Sequence, residues 1–240
     1  MAEAEAEPNA SQRLTQTEER GAGLALLPIA ATLNFYILPQ PLQEQTLIQF
    51  IPQILSYLAM ALWAQHNTAL IPRLGLQPEG LRAGLRIGLI TGLLLGSFNT
   101  FIILNIVPGL GEHISFLRDT PHAQIPVFIM MPWFICVIAV LVELNFRGFL
   151  LGRLLALGFT ILRTRSRPWT SAVAIGISAL MFTFDPFMMH TFRHLHWIAL
   201  WDGIIWGILW VRTHNLFLTI VAHAVEVIIM YSVIRTVLFG

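Results

Sequence analysis

Residues 84–107 read GLRIGLITGLLLGSFNTFIILNIV, twenty-four positions with one charged side chain, Arg86. As an α-helix this stretch is about 36 Å long at 1.5 Å per residue, more than the roughly 30 Å hydrocarbon core of a bilayer. Gly84, Gly88, Gly92 and Gly96 recur every fourth residue and therefore fall on one helix face. In lipid, where apolar surface gains nothing by leaving its solvent, such a small-residue stripe permits close helix approach, and we read it as a packing face.

Working outward, similar apolar runs lie at about 22–38, 46–64, 125–150, 169–189, 197–211 and 215–236. Over the 240 residues, 56% are hydrophobic and 11% charged, too few polar groups to coat a soluble globule, for which about 25% charged is usual. The expected fold is an all-α, polytopic integral membrane helical bundle of about seven transmembrane helices. It divides into a disordered or surface-lying N-terminal tail over residues 1–20 and a single transmembrane domain over 21–240. The tail is acidic and lacks the basic start and short apolar core of a cleavable signal peptide.

All 14 basic residues are Arg, and the net charge of +1 gives no pull toward nucleic acid. Arg13, Arg20, Arg73, Arg82, Arg86, Arg163, Arg165, Arg167 and Arg212 fall on one side of the alternating spans if the N-terminus is cytoplasmic, whereas Arg118, Arg193 and Arg235 fall on the other. Arg-rich short loops stay inside, which predicts a cytoplasmic N-terminus. Cys136, the single cysteine, lies in IMMPWFICVIAVLV and reads as core packing.

After Asp119 only Glu143, Asp185, Asp202 and Glu226 are acidic, and each lies within or at the end of an expected span. A charge there costs several kcal/mol unless paired or hydrated, so each is a candidate functional group. Glu143 and Arg147 are spaced i and i+4 and are able to pair on one helix. His223 and Glu226, i and i+3 in IVAHAVEVIIMY, share a face of the last span. Asp185 precedes Pro186 and reads equally as a helix cap or a reacting group. Sixteen residues into a span that starts inside, it would stand roughly 24 Å deep, far from Glu143 and His223 unless the helix is broken. Asp202, among tryptophans, is a possible partner for Arg147 or the histidines. His190, His194 and His196 lack an acidic ligand nearby, and HTFRHLH reads as an interfacial loop.

Over about residues 125–232 the pattern resembles the CPBP family of membrane-embedded proteases, which includes the type II CAAX prenyl proteases. VELNFRGFLLGRL at 142–154 is similar to that family's first motif, two glutamates, two residues, an aromatic and Arg-Gly, with Val142 in place of the first glutamate. SALMFTF at 178–184 is similar to its second, a helix ending Phe-x-x-x-His, although Pro186 takes the histidine position beside Asp185. NLFLTIVAHAVEV at 215–227 is similar to its third, His-x-x-x-Asn, with His223 present and Val227 replacing the asparagine.

The resemblance implies a glutamate-dependent intramembrane endopeptidase acting on a membrane-anchored peptide or protein substrate. In the family a glutamate activates water, the second glutamate and the arginine organise the site, and the histidines and asparagine bind water and stabilise the oxyanion. Carried onto this chain, Glu143 polarises water, Arg147 holds its carboxylate, His223 and Glu226 bind water or the oxyanion, and Asp185 is the remaining candidate. Valine can take no proton and donate no hydrogen bond, so Val142 and Val227 also suit a degenerate member acting as a scaffold or binding protein. A carrier or proton relay is the third reading of such buried groups. No cofactor is implied, and a metal at the buried carboxylate and histidine cluster is left open. The expected location is a prokaryotic plasma membrane, multi-pass, with membrane lipids as the surrounding partner.

Overall fold

The computed structural model describes residues 19–162 and 167–240. Residues 1–18 of the expected tail, and Arg163 and Arg165 of the orientation argument, lie outside the described residues. The described chain is all-helical, with α1 (Leu26–Phe35), α2 (Ile51–Gln65), α3 (Leu81–Phe101), α4 (Ile135–Glu143), α5 (Gly152–Leu162), α6 (Arg167–Thr183), α7 (Pro186–Phe192), α8 (Ile198–Thr213) and α9 (Leu216–Phe239) as its main elements.

Among the described residues, three stretches are long and apolar enough to cross a membrane: Leu70–Gly109, Ile135–Thr160 and Leu216–Phe239. A fourth appears if the bent pair Pro168–Thr183 and Pro186–Leu195 counts as one span. Against the expected count of about seven, α1, α2 and α8 have 10, 15 and 16 residues, short of the roughly 20 that a straight crossing needs. The outside of the bundle is apolar nonetheless. Leu94, Trp133 and Phe128 are 68%, 71% and 76% exposed, a surface that water does not tolerate over so wide an area and lipid does. Cys136 is also exposed, so it belongs to this outer surface and not to the core; its helix turns the buried faces of Ile135, Ala139 and Glu143 inward instead.

The glycine stripe of α3 lies against α9. A Cβ at Gly88 or Gly92 would meet the carbonyl oxygen of Leu218 or Ala222 at 2.6 Å, and one at Gly96 would meet the Cα of Glu226 at 3.0 Å. Only hydrogen fits there, so the backbones of α3 and α9 touch along the stripe. A second close approach brings α8 onto α6, where Gly203 faces Ala179 and Gly207 faces Ile175.

Backbone irregularities shape the interior near the acidic residues. Immediately after Glu143 the helix widens to π geometry over Leu144–Leu151, the stretch that carries Phe146, Arg147 and Gly148, before α5 resumes. Between α6 and α7 the axis bends by 52°. Proline has no N–H to donate and disfavours helical geometry in the residue before it, so Pro186 ends the run at Asp185, which is extended (φ −58°, ψ 129°), and starts α7 as its first residue.

At one end of the bundle Glu19, the first described residue, is tied down. Its carboxylate pairs with Arg73 at 3.4 Å and with Arg153, and accepts from Trp63 Nε1 at 3.0 Å. The Arg153 guanidinium lies 4.0 Å from the Trp63 ring centroid. Burial is the largest influence on the Glu19 carboxyl and raises it from its ordinary range against the pull of the two arginines.

Candidate active site

Glu143 ends α4 and Arg147 follows one turn later inside the π-helical stretch; both are 0% exposed. Arg147 Nη1 donates to Glu143 Oε1 at 3.1 Å. The same oxygen lies 3.0 Å from Nδ1 of His223 on α9. Because a carboxylate only accepts, Nδ1 carries the proton and Nε2 is left as the acceptor of the neutral ring. An ion pair so deeply buried persists only where its remaining surface is also matched, and aromatic rings supply that match. The Arg147 guanidinium lies 4.6 Å from the Phe182 centroid and 4.9 Å from that of Trp206. Trp206 in turn stacks on the His223 imidazole, with centroids 4.6 Å apart and planes at 26°. Residues from α4, α6, α8 and α9 therefore hold one imidazole in one orientation.

His223 borders a cavity of about 610 Å³, whose wall is overwhelmingly apolar and also includes Val142, Asp185, Asp202, Glu226 and Val227. Glu143 is not part of this wall and touches the wall residue His223. The two valines at the motif positions of the expected glutamate and asparagine face the same space. This volume lies within the roughly 300–1,000 Å³ usual for a ligand-binding pocket.

Glu226 and Asp202 form a second centre on the same wall. Asn99 of α3 donates Nδ2 to Glu226 Oε1 at 2.6 Å and to both oxygens of Asp202 at 3.1 Å, while its own Oδ1 accepts from Trp201 Nε1 at 3.0 Å. All three polar side chains are 4% exposed or less. Asp202 thus partners Asn99 and Glu226, not Arg147 directly or the histidines of HTFRHLH. Asn99 escaped the reading of the sequence. Its signal was present: an amide three residues beyond Gly96 continues the glycine face toward α9.

Asp185 reaches the same cavity because the span carrying it is broken, so the simple depth count from a continuous helix does not apply. Its Oδ1 accepts from the backbone N–H groups of Phe187 and Met188 at 3.1 and 3.2 Å, and Oδ2 accepts from Gln53 Nε2 at 2.9 Å. This is an N-cap, joined to neither Glu143 nor His223. Two histidines of HTFRHLH have separate partners: His194 lies 3.8 Å from Glu112 and His196 contacts the Arg193 carbonyl at 2.5 Å. Among the described residues no group of three or more His, Cys, Asp or Glu is placed to hold a metal ion.

Comparison with curated proteins and with solved structures yields no match. Residues 124–229 match the family model described as type II CAAX prenyl endopeptidase Rce1-like. The matched segment runs from Gln124, ahead of α4, to just past Glu226 and contains every motif on which the resemblance rested, together with Glu143, Arg147, Asp202, His223 and Glu226, while Asn99 lies outside it. Over residues 124–229 the chain is similar to this Rce1-like family of the CPBP proteins.

Proposed function

We propose that this membrane protein is an intramembrane endopeptidase that hydrolyses a peptide bond of a membrane-associated substrate, with His223 as the group that handles the attacking water. The observation carrying this reading is the 3.0 Å contact between Glu143 and His223 at the edge of an apolar cavity. Nε2 of His223 takes a proton from water as its oxygen attacks the substrate carbonyl, and Glu143 stabilises the imidazolium that forms. Arg147 holds the Glu143 carboxylate in place. Glutamate dependence then follows from orientation: Glu143, no part of the cavity wall, acts on water through the imidazole. The apolar part of the substrate occupies the cavity and excludes bulk water from the reacting bond.

Val142 and Val227 on the cavity wall favour a second reading, a pocket that binds an apolar, membrane-anchored chain without cutting it. One experiment separates the two. Purified wild type, Glu143→Ala and His223→Ala are tested on a panel of membrane-tethered peptides, prenylated and not. Cleavage by wild type that both variants lose by a hundredfold or more supports the peptidase; saturable peptide binding with no cleavage by any of the three overturns it in favour of the pocket.

A further inference from the structure

The peptidase reading leaves one proton unassigned. Breaking the C–N bond of a peptide expels an amine that must be protonated as it leaves, and this proton need not come from the base that accepted the one from water.

The cavity wall carries a group suited to supply it. Oxygens of Asp202 and Glu226 lie within 3.1 Å of a single nitrogen, Asn99 Nδ2, which holds the two carboxyl groups side by side. Among the described residues neither forms an ion pair, and no N–H or hydroxyl donor meets Oε2 of Glu226. Two carboxyl groups packed side by side against an apolar wall share a proton more readily than they carry two charges. Asn99 pins them, and Trp201 pins Asn99. Both open onto the cavity that His223 borders, and Glu226 stands one helical turn beyond His223 on the same face of α9. Arg147, 0% exposed, has no hydrogen-bond partner for Nη2, and that nitrogen is aimed at α8 beside Asp202: a Cβ on Gly203 would lie 3.5 Å from it.

We propose that the Asp202–Asn99–Glu226 cluster is the acid half of the active centre, donating the proton to the leaving nitrogen while the Glu143–His223 couple accepts the proton of the attacking water. The inference rests on the peptidase reading. The carbon–oxygen bond forms as water's proton moves to Nε2. The carbon–nitrogen bond then breaks as the carboxyl proton moves to the amine, and the proton held on His223 returns to the carboxylate through water, restoring both groups. No other reactant is consumed.

The test uses the full chain in lipid vesicles with matched substrates of one peptide sequence, cut either at an ordinary amide or at an activated ester, whose leaving group departs without protonation. For Asp202→Asn and Glu226→Gln the expected outcome is a loss of a hundredfold or more on the amide and less than tenfold on the ester, whereas His223→Ala loses both. The ester-to-amide ratio is measured within each variant, so it is independent of how much of that variant folds. Equal losses on the two substrates, or no loss on the amide while His223→Ala is inactive, overturn the acid assignment and leave the peptidase standing. A wild type no faster than His223→Ala on either substrate removes both.

Discussion

Oxygen Oε1 of Glu143 is shared: Nδ1 of His223 stands 3.0 Å from it and Arg147 Nη1 stands 3.1 Å from it. One atom therefore links the FRG segment at 146–148 to the last span. Removing the carboxylate alone strands a buried guanidinium, so Glu143→Ala is expected to cost about 3–5 kcal/mol. Replacing the pair together, Glu143→Leu with Arg147→Met, should cost clearly less than the sum of the single changes. Chemical unfolding of the three variants in detergent checks this; strict additivity would mean that the pair is not coupled.

Asp185 offers the opposite pattern. As the cap of α7 it satisfies two backbone N–H groups at 3.1 and 3.2 Å, and Asp185→Ala should destabilise by about 1 kcal/mol. Peptide cleavage per folded molecule should stay within a few-fold of wild type. Asp185→Ser, which retains a cap, should recover most of the stability, measured as a thermal midpoint.

The α3–α9 seam predicts a strong contrast between glycines. Gly92→Val pushes a side chain into the Ala222 carbonyl and Val225, at an expected cost of about 1–3 kcal/mol or more. Gly176, inside α6, has open space where a methyl group would stand, with no atom within 4 Å, so Gly176→Ala should be neutral or stabilising by roughly 0.5–1 kcal/mol. Thermal unfolding of the two variants side by side reads the difference.

His122 gives a pH dependence. It lines the cavity between the rings of Phe187 and Phe192, with centroids at 6.3 and 5.5 Å, outside the spans, and burial lowers its pKa from the usual 6.5. Between 6.5 and that depressed value the unfolded chain binds the proton and the folded chain does not, so stability is full above 6.5 and is lost as pH falls through the window. Comparing wild type with His122→Gln by thermal midpoint from about pH 8 to about pH 5 should show a shallower decline in the variant.

How far the amino-acid pattern reveals this protein depends on the range of each interaction. The pairing of Glu143 with Arg147 is local, one turn apart, and was legible from spacing. The union of that pair with His223 came through the family resemblance, since nothing in the spacing of residues 143 and 223 says that their helices meet. The N-cap of α7 was half legible, because Asp-Pro marks a helix start but does not say which of two roles the carboxylate takes. Asn99 was missed because its place on the glycine face, three residues past Gly96, names no partner until α3 meets α9. The expected count of about seven spans is not confirmed, because hydropathy sees apolar runs and not where Pro186, the short α1 and α2, or the turn into α8 interrupt them.

The bare backbone contact between α3 and α9 has a mechanical consequence. Ridges meshed this tightly cannot slide by a fraction of a turn, and a jump of a full turn would be about 5.4 Å. Asn99, three residues past Gly96, is thereby indexed to the height of Glu226, whose Cα sits against Gly96. The four glycines act as gear teeth, and they set the depth at which the two acids are presented.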